Sequence, residues 1–227
     1  MSIPRLIHQL WIGSKPLPER EAGWCLQMKK LNPTWRWKLW GNEILEHYKN
    51  DPYVRALQDR GEPLAFLADR LRILILAEYG GLYVDCDAQP LKPFDSIDVW
   101  DDPRAGFVYG IRDPYRPDVA LHRSVAFCDN TILASEPNGK MVKRLLDCWK
   151  PNDIVITGHR LGLTILRHVD ASCRGLGFEY FYAMSAQPNS VVLHDPHNAG
   201  TWVKDARKSV PVGDQHIIAH GPLQKSQ

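Results

Sequence analysis

The chain has 227 residues, enough for one sizeable domain, and nothing in it demands a second. Lys and Arg (28) nearly balance Asp and Glu (26), and a formal net charge of +2 argues against broad electrostatic capture of nucleic acid while leaving room for a local basic patch. No run of about 18 apolar residues occurs, so no membrane span is expected. The opening MSIPRLIHQLWIG carries one Arg and no small-residue cleavage site, unlike a signal peptide. Five scattered cysteines without a C-x-x-C favour free thiols in a reducing compartment, hence a cytoplasmic protein.

Residues 3–12 read as a buried strand ending at Gly13. A Pro-containing loop then leads into a helix over 19–31, broken by Asn32 and Pro33. Residues 35–40 alternate bulky apolar with basic side chains, which predicts a strand with one covered face. Helices follow over 42–50 and 52–60. The clearest helix spans 63–79, with Pro63 at its start and Gly80 where left-handed backbone is wanted. A strand is expected over 105–111, helices over 138–150 and 159–168, and a strand over 190–194. This βαβ rhythm predicts an α/β fold around a mainly parallel sheet. Eight tryptophans are many for this length; most should be filler, with one or two able to stack on a flat ligand.

The chemistry concentrates in GGLYVDCDAQP (80–90). Alternation along a strand sends Leu82, Val84 and Cys86 to one face and Tyr83, Asp85 and Asp87 to the other. The two carboxylates would then lie roughly 6–7 Å apart at a strand's carboxyl end, where open α/β sheets bind ligands. Like charges there are costly unless a cation joins them, and oxygen ligands suit Mn²⁺ or Mg²⁺. Taken alone the pair also fits a turn facing water. In the preceding helix Leu64, Leu67, Leu71, Leu74 and Ile75 form one apolar face. Asp69 and Arg72 share the other with Phe66, Ile73 and Leu76, so that side is not plain solvent either. The pair either locks the helix to a neighbour or points into a cleft.

The run ADRLRILILAEYGGLYVDCD resembles the D-x-D core of glycosyltransferase family 32, and is similar to the glucosylating domains of large clostridial toxins. IPRLIHQLWIG, then Trp24 and LNPTWRWKLW, resemble the family's earlier motifs in the same order over residues 3–90. The resemblance implies a GT-A fold, a UDP- or GDP-sugar donor and a hydroxyl acceptor such as a glycan. The donor-binding half would occupy about 1–95 and the acceptor and lid half 96–227 of a single domain. Carried over by position, it implies that Trp11 stacks on the base and that Asp69 and Arg72 bind donor-sugar hydroxyls. Tyr83 would hold the nucleotide, Asp85 would touch the ribose or a metal-bound water, and Asp87 would ligate Mn²⁺. A core tryptophan on the first strand is the other reading of Trp11.

FCDNTILASEP resembles the family's asparagine-containing strand, which nominates Asn130 and, behind it, Asp129; a strand-end turn is the alternative. Thr157-Gly158-His159 departs from the family's T-G-P. HNAGTW resembles H-x-x-x-x-S-W with Thr201 in place of serine, which implies that Trp202 closes over the diphosphate and that Thr201 or His197 approaches the metal. His194 and His197 could pair on a metal such as zinc, but two histidines at that spacing usually just mark a turn. The family resemblance implies transfer with retention of anomeric configuration.

Other readings remain at this point. A haloacid-dehalogenase-type phosphatase also has an aspartate pair at a strand end, but wants it near the start of its domain and followed by a threonine-like residue. A non-catalytic nucleotide or glycan-binding module would have less need of Asp69, Arg72, Asp85 and Asp87 together. Arg104, Arg112, Arg116 and Arg123, interleaved with Tyr109 and Tyr115, would form a basic and aromatic acceptor rim, extending to modified bases of phage DNA, or an ordinary solvated loop.

Overall fold

The computed structural model describes residues 2–112, 127–150, 159–181 and 188–194. Six strands form the central sheet: β1 (Leu6–Leu10), β2 (Arg36–Trp40), β3 (Gly81–Val84), β5 (Phe107–Arg112), β6 (Phe127–Ser135) and β7 (Cys173–Leu176), in the order β2-β1-β3-β6-β5-β7. β6 runs antiparallel to β3 and β5, while the other pairings are parallel, so five strands point one way and one is reversed. The expected mainly parallel α/β sheet is present. β4 (Ala88–Pro90) and β8 (Val192–His194) make a second, two-stranded antiparallel sheet.

Helices cover both faces. α1 (Glu19–Leu31) packs on one side; α3 (Pro52–Asp59), α4 (Leu64–Tyr79), α5 (Lys140–Cys148) and α6 (His159–His168) contribute to the other. α2 (Glu43–His47) and α7 (Phe178–Phe181) are short. The two cores follow strand alternation: Tyr83 joins Leu67, Leu71 and Ile75 of α4, while Leu82, Val84 and Cys86 join Cys25, Met28, Trp37 and Phe94. β1 is buried at all five residues, as a strand covered on both faces must be.

Local chemistry explains the ends of the elements. Asp51 caps α3 by accepting from Tyr53 N–H and Val54 N–H, with Pro52 at the first helical position. α4 stops at Gly80, whose φ is 64°. Gly81 follows at φ 93°, and a Cβ there would meet Leu6 O at 2.4 Å, so only glycine lets β3 enter beside β1. Arg70 also lies on α4 but serves the frame: it pairs with Asp51 at 2.7 Å and lies over the Tyr53 and Trp149 rings.

The polar residues of β1 face inward. His8 is wholly buried; Trp40 Nε1–H donates to its Nδ1 at 3.1 Å, which leaves Nε2–H to donate to Gly80 O at 2.9 Å. Burial pushes its imidazole down to about 4, so His8 is neutral and structural.

Three expectations need correction. Leu64, assigned to the apolar face of α4, is 38% exposed because it sits at the helix start beyond the sheet. Arg104 precedes β5 at the end of the sheet opposite Asp85: Phe107 pairs with Ser135, which pairs with Gly81. It bonds Asp102, which Arg174 also holds. Tyr109 lies mid-strand and is buried. Neither joins an acceptor rim at the D-x-D end. Arg116, Arg123, Tyr115 and the side chain of Arg112 lie outside the described residues.

Candidate active site

The site forms where the carboxyl ends of β1 and β3, α4 and the middle of β6 meet. On α4, Asp69 and Arg72 lie one turn apart, almost fully buried, with Arg72 Nη2 3.0 Å from Asp69 Oδ1. Arg72 Nη1 reaches Asp85 Oδ1 at 3.3 Å and donates to the backbone carbonyl of Asn130. The guanidinium lies over the Tyr83 ring, 4.6 Å from its centroid. Asn130 Nδ2 donates to Asp69 Oδ1 at 2.6 Å, and Tyr83 O–H donates to Asp85 Oδ1 at 3.0 Å. One guanidinium thus ties together a helix, the end of β3 and β6. The sequence left open whether Asp69 and Arg72 lock the helix or enter a cleft. They join Asp85, Tyr83 and Asn130 in one network.

β3 ends at Val84, and Asp85 N–H still bonds across to Thr131 O at 3.0 Å. The chain then turns, because Ala88 N–H returns to Asp85 O at 3.2 Å, before β4 begins. The carboxylates therefore converge across a tight turn rather than lining an extended strand. Pairing of β4 with β8 sets Ala88 opposite His194, which brings the imidazole beside Asp87. His194 Nε2 lies 3.5 Å from Asp87 Oδ1 and 3.5 Å from Thr131 Oγ1. One ligand atom from each of Asp85, Asp87 and His194 falls within 4.8 Å of the others.

The electrostatics of this group are unfinished. Burial pushes the Asp85 carboxyl up to about 6; Arg72 opposes the rise, Asp87 adds to it, and His194 and the Tyr83 hydroxyl oppose it. Burial also holds the Tyr83 phenol well above its ordinary range, so it remains a hydrogen-bond donor. Asp87 Oδ1 is buried and accepts no hydrogen bond among the described residues; its imidazole neighbour, His194 Nε2, stands off at 3.5 Å. A buried carboxylate oxygen without a donor is costly, and a divalent cation is a partner that two carboxylates and an imidazole fit.

Trp11 follows β1 beside the D-x-D turn: it packs half-buried on the cluster that holds Cys86, and Cys86 Sγ donates to Leu10 O at 3.4 Å. Its indole N–H donates to Lys15 O at 2.9 Å. Thr157, Gly158, His197, Thr201, Trp202 and the side chains of Asp129 and His159 lie outside the described residues. The sequence had singled out His194 only as a partner of His197. Its approach to Asp87 depends on the β4–β8 pairing, for which a three-residue strand leaves almost no sequence signal.

Residues 18–102 match the family described as "Glycosyltransferase sugar-binding region containing DXD motif". The family resemblance read from the motifs is borne out. That region includes Asp69, Arg72, Tyr83, Asp85 and Asp87, while Trp11, Asn130 and His194 fall outside it. The chain is 33% identical over 180 residues to the initiation-specific alpha-1,6-mannosyltransferase of Candida albicans, a match covering 70% of this chain and 45% of that protein. It thus spans less than half the length of that curated relative. Among solved structures it resembles the PaToxG glycosyltransferase, with a TM-score of 0.53 at 19% identity over 74% of this chain and 70% of that one. It also resembles a glycosyltransferase involved in the glycosylation of the major capsid of PBCV-1, with a TM-score of 0.51 at 11% identity over 83% and 93% of the two chains. The fold is GT-A, the expected class, which leaves the phosphatase reading without support.

Proposed function

We propose that this chain is a metal-dependent hexosyltransferase that moves a sugar from a UDP- or GDP-sugar to a hydroxyl acceptor, with retention of anomeric configuration. The observation that carries the reading is the buried Asp87 Oδ1, which accepts no hydrogen bond among the described residues, within the Asp85–Asp87–His194 group next to the Arg72 network. Asp87, Asp85 and His194 would hold Mn²⁺, and Thr201 or His197 would complete the set. When bound, the cation serves as Lewis acid for the departing diphosphate.

The chain's own residues do the rest. Asp69 and the Asn130 carboxamide, fixed 2.6 Å apart, offer acceptors and donors to the hydroxyls of the donor sugar. Arg72 places a permanent positive charge beside the leaving group, held in advance by Asp69 and Asp85 so that little reorganisation is needed. Tyr83 fixes Asp85 and backs the guanidinium. Trp11 supplies a flat surface for the base, and Trp202 would close over the diphosphate.

The relative from Candida albicans is named a mannosyltransferase, which makes mannose the first donor sugar to try. We place the enzyme in the cytoplasm on its free cysteines, Cys25, Cys86, Cys128, Cys148 and Cys173. No helix among the described residues is long and apolar enough to cross a membrane. The acceptor is a glycan or another hydroxyl compound.

A panel of UDP- and GDP-sugars with Mn²⁺, scored by thermal shift and by nucleoside diphosphate release, tests the reading. Stabilisation and release by one donor are expected. Donor binding with neither transfer nor hydrolysis would make the chain a binding module. Salt-sensitive binding to modified DNA would redirect the acceptor assignment, since phosphate contacts weaken steeply with salt. No response to any donor would overturn the proposal.

A further inference from the structure

The ladder between β1 and β2 closes with Trp11 N–H donating to Trp40 O at 2.9 Å. Two residues later the segments are still joined, but through a side chain. Asn42 Oδ1 accepts from Gly13 N–H at 2.7 Å, and Asn42 Nδ2 donates to Gly13 O at 3.0 Å. A carboxamide carries a donor and an acceptor side by side, as a peptide group does, so Asn42 substitutes for the next pairing of the sheet. Asn42 sits at the start of α2, where an asparagine ordinarily turns its oxygen onto the first N–H groups of its own helix. Here it makes no such cap and reaches 29 residues back along the chain.

The held segment is the turn from Trp11 to Lys15. Gly13 adopts φ +115°, and a Cβ there would meet Leu64 Cδ1 at 2.6 Å, so the turn is confined on its other side by α4. The Trp11 indole N–H closes it on Lys15 O. Asn42 therefore fixes Gly13, and the turn in turn fixes the Trp11 ring on the cluster that includes Cys86, the middle residue of D-C-D, whose Sγ donates to the carbonyl of the preceding Leu10.

We infer that Asn42 is a positioning residue for the donor: its carboxamide presets the 11–15 turn so that the Trp11 ring is a standing shelf for a flat nucleobase. The inference rests on the reading of Trp11 as the base contact. A shelf already in place need not be ordered on binding, so loosening it weakens capture of the base. It does not touch Asp85, Asp87, His194 or Arg72, so the chemical step is spared.

The test compares wild type, Asn42→Ala and Trp11→Ala in Mn²⁺, by calorimetry with UDP, GDP and inorganic pyrophosphate and by steady-state release of diphosphate from the donor. Asn42→Ala should weaken the preferred nucleoside diphosphate about tenfold. Its affinity for pyrophosphate, which has no base, should be unchanged. Donor KM should rise by a similar factor with kcat within about twofold, a split that general structural damage would not produce. Asn42→Asp keeps the acceptor for Gly13 N–H but sets a carboxylate oxygen against Gly13 O, and should bind nucleotide no better than Asn42→Ala. Equal loss of pyrophosphate and nucleotide in Asn42→Ala would overturn the inference. So would wild-type nucleotide affinity in Asn42→Ala alongside weakened binding in Trp11→Ala, and in that case the base shelf itself would stand. Wild-type affinity in Trp11→Ala would bring down the reading of Trp11, and the inference with it.

Discussion

Replacing Asp87 by alanine should stabilise the metal-free protein while destroying its activity. In the absence of metal, folding places one oxygen of Asp87 in a buried position where it accepts no hydrogen bond among the described residues, beside a second carboxylate and 3.5 Å from the His194 imidazole. Leaving such a group unsatisfied costs about 1–3 kcal/mol, and more for a charge. Asp87→Ala removes that penalty and the like-charge contact with Asp85, and gives up little apolar packing and only the long 3.5 Å contact with His194. A gain of about 1–2 kcal/mol in EDTA is expected. For a chain of this size each kcal/mol moves Tm by about 2–4 °C. Adding Mn²⁺ at about 100 times its Kd should stabilise wild type by about 2.7 kcal/mol and leave the variant unmoved, so the order of the two melting temperatures inverts. Turnover should fall about a thousandfold, corresponding to about 4 kcal/mol of transition-state stabilisation. The assay is a pair of thermal melts, with EDTA and with Mn²⁺, alongside donor hydrolysis. A variant that melts well below wild type in EDTA would show Asp87 to be an ordinary structural partner. A variant that still gains stability from Mn²⁺, or turns over within tenfold of wild type, would refute the metal assignment.

Metal affinity should weaken as pH falls through about 6, because the folded protein protonates Asp85 there and a protonated carboxyl is a poor ligand. The same raised value makes the metal-free protein gain stability as pH drops from about 6 towards 3.8, since the folded state takes up the proton first; Mn²⁺ titrations and melts from pH 7.5 to 4.5 read both effects. His8 acts with the opposite sign. Its imidazole is pushed down from 6.5 to about 4, so the stability it confers is complete above 6.5 and is lost as pH falls through about 4, a change of about 3 kcal/mol. Urea midpoints across that range should slope less in His8→Phe than in wild type, and equal slopes would contradict the assignment. Nucleoside diphosphate should bind measurably with Mn²⁺ and at least tenfold more weakly in EDTA by calorimetry, about 1.4 kcal/mol or more.

The features legible in the sequence are those whose signal is local. The spacing of α4 made Asp69 and Arg72 a buried, oriented pair, and alternation along β3 put Tyr83 and Leu82 in different cores. The asparagine of FCDNTILASEP was nominated through its resemblance to a family strand, and it bonds Asp69. What escaped depends on contacts between distant segments through short elements. β4 and β8 have three residues each, so no periodicity announces their pairing, and His194 reaches Asp87 only through it. Asn42 looks like an ordinary helix-cap asparagine until its reach to Gly13 is seen. Arg104 and Tyr109 failed as a rim because interleaving basic and aromatic residues says nothing about which end of a strand each occupies.

On the proposed function, the charge arrangement gives a reason for a cation to precede the donor. Among the described residues that meet there, Asp69, Asp85 and Asp87 bring three carboxylates and Arg72 one guanidinium, a formal excess of two negative charges with the His194 imidazole counted as neutral. Arg72 is shared between Asp69 and Asp85, and its single charge does not offset three carboxylates. A nucleoside diphosphate arriving alone would meet net repulsion in a partly desolvated pocket, where charges are poorly screened. Raising Asp85 to about 6 is the molecule's partial answer, because protonation relieves one charge, but at neutral pH the relief is incomplete. A divalent ion held by Asp85, Asp87 and His194 would offset the excess and would supply positive charge for the diphosphate. Ordered binding, metal first and donor second, is the expectation that follows from the proposed function, and the Asp87 oxygen that accepts no hydrogen bond among the described residues is where the metal would act first.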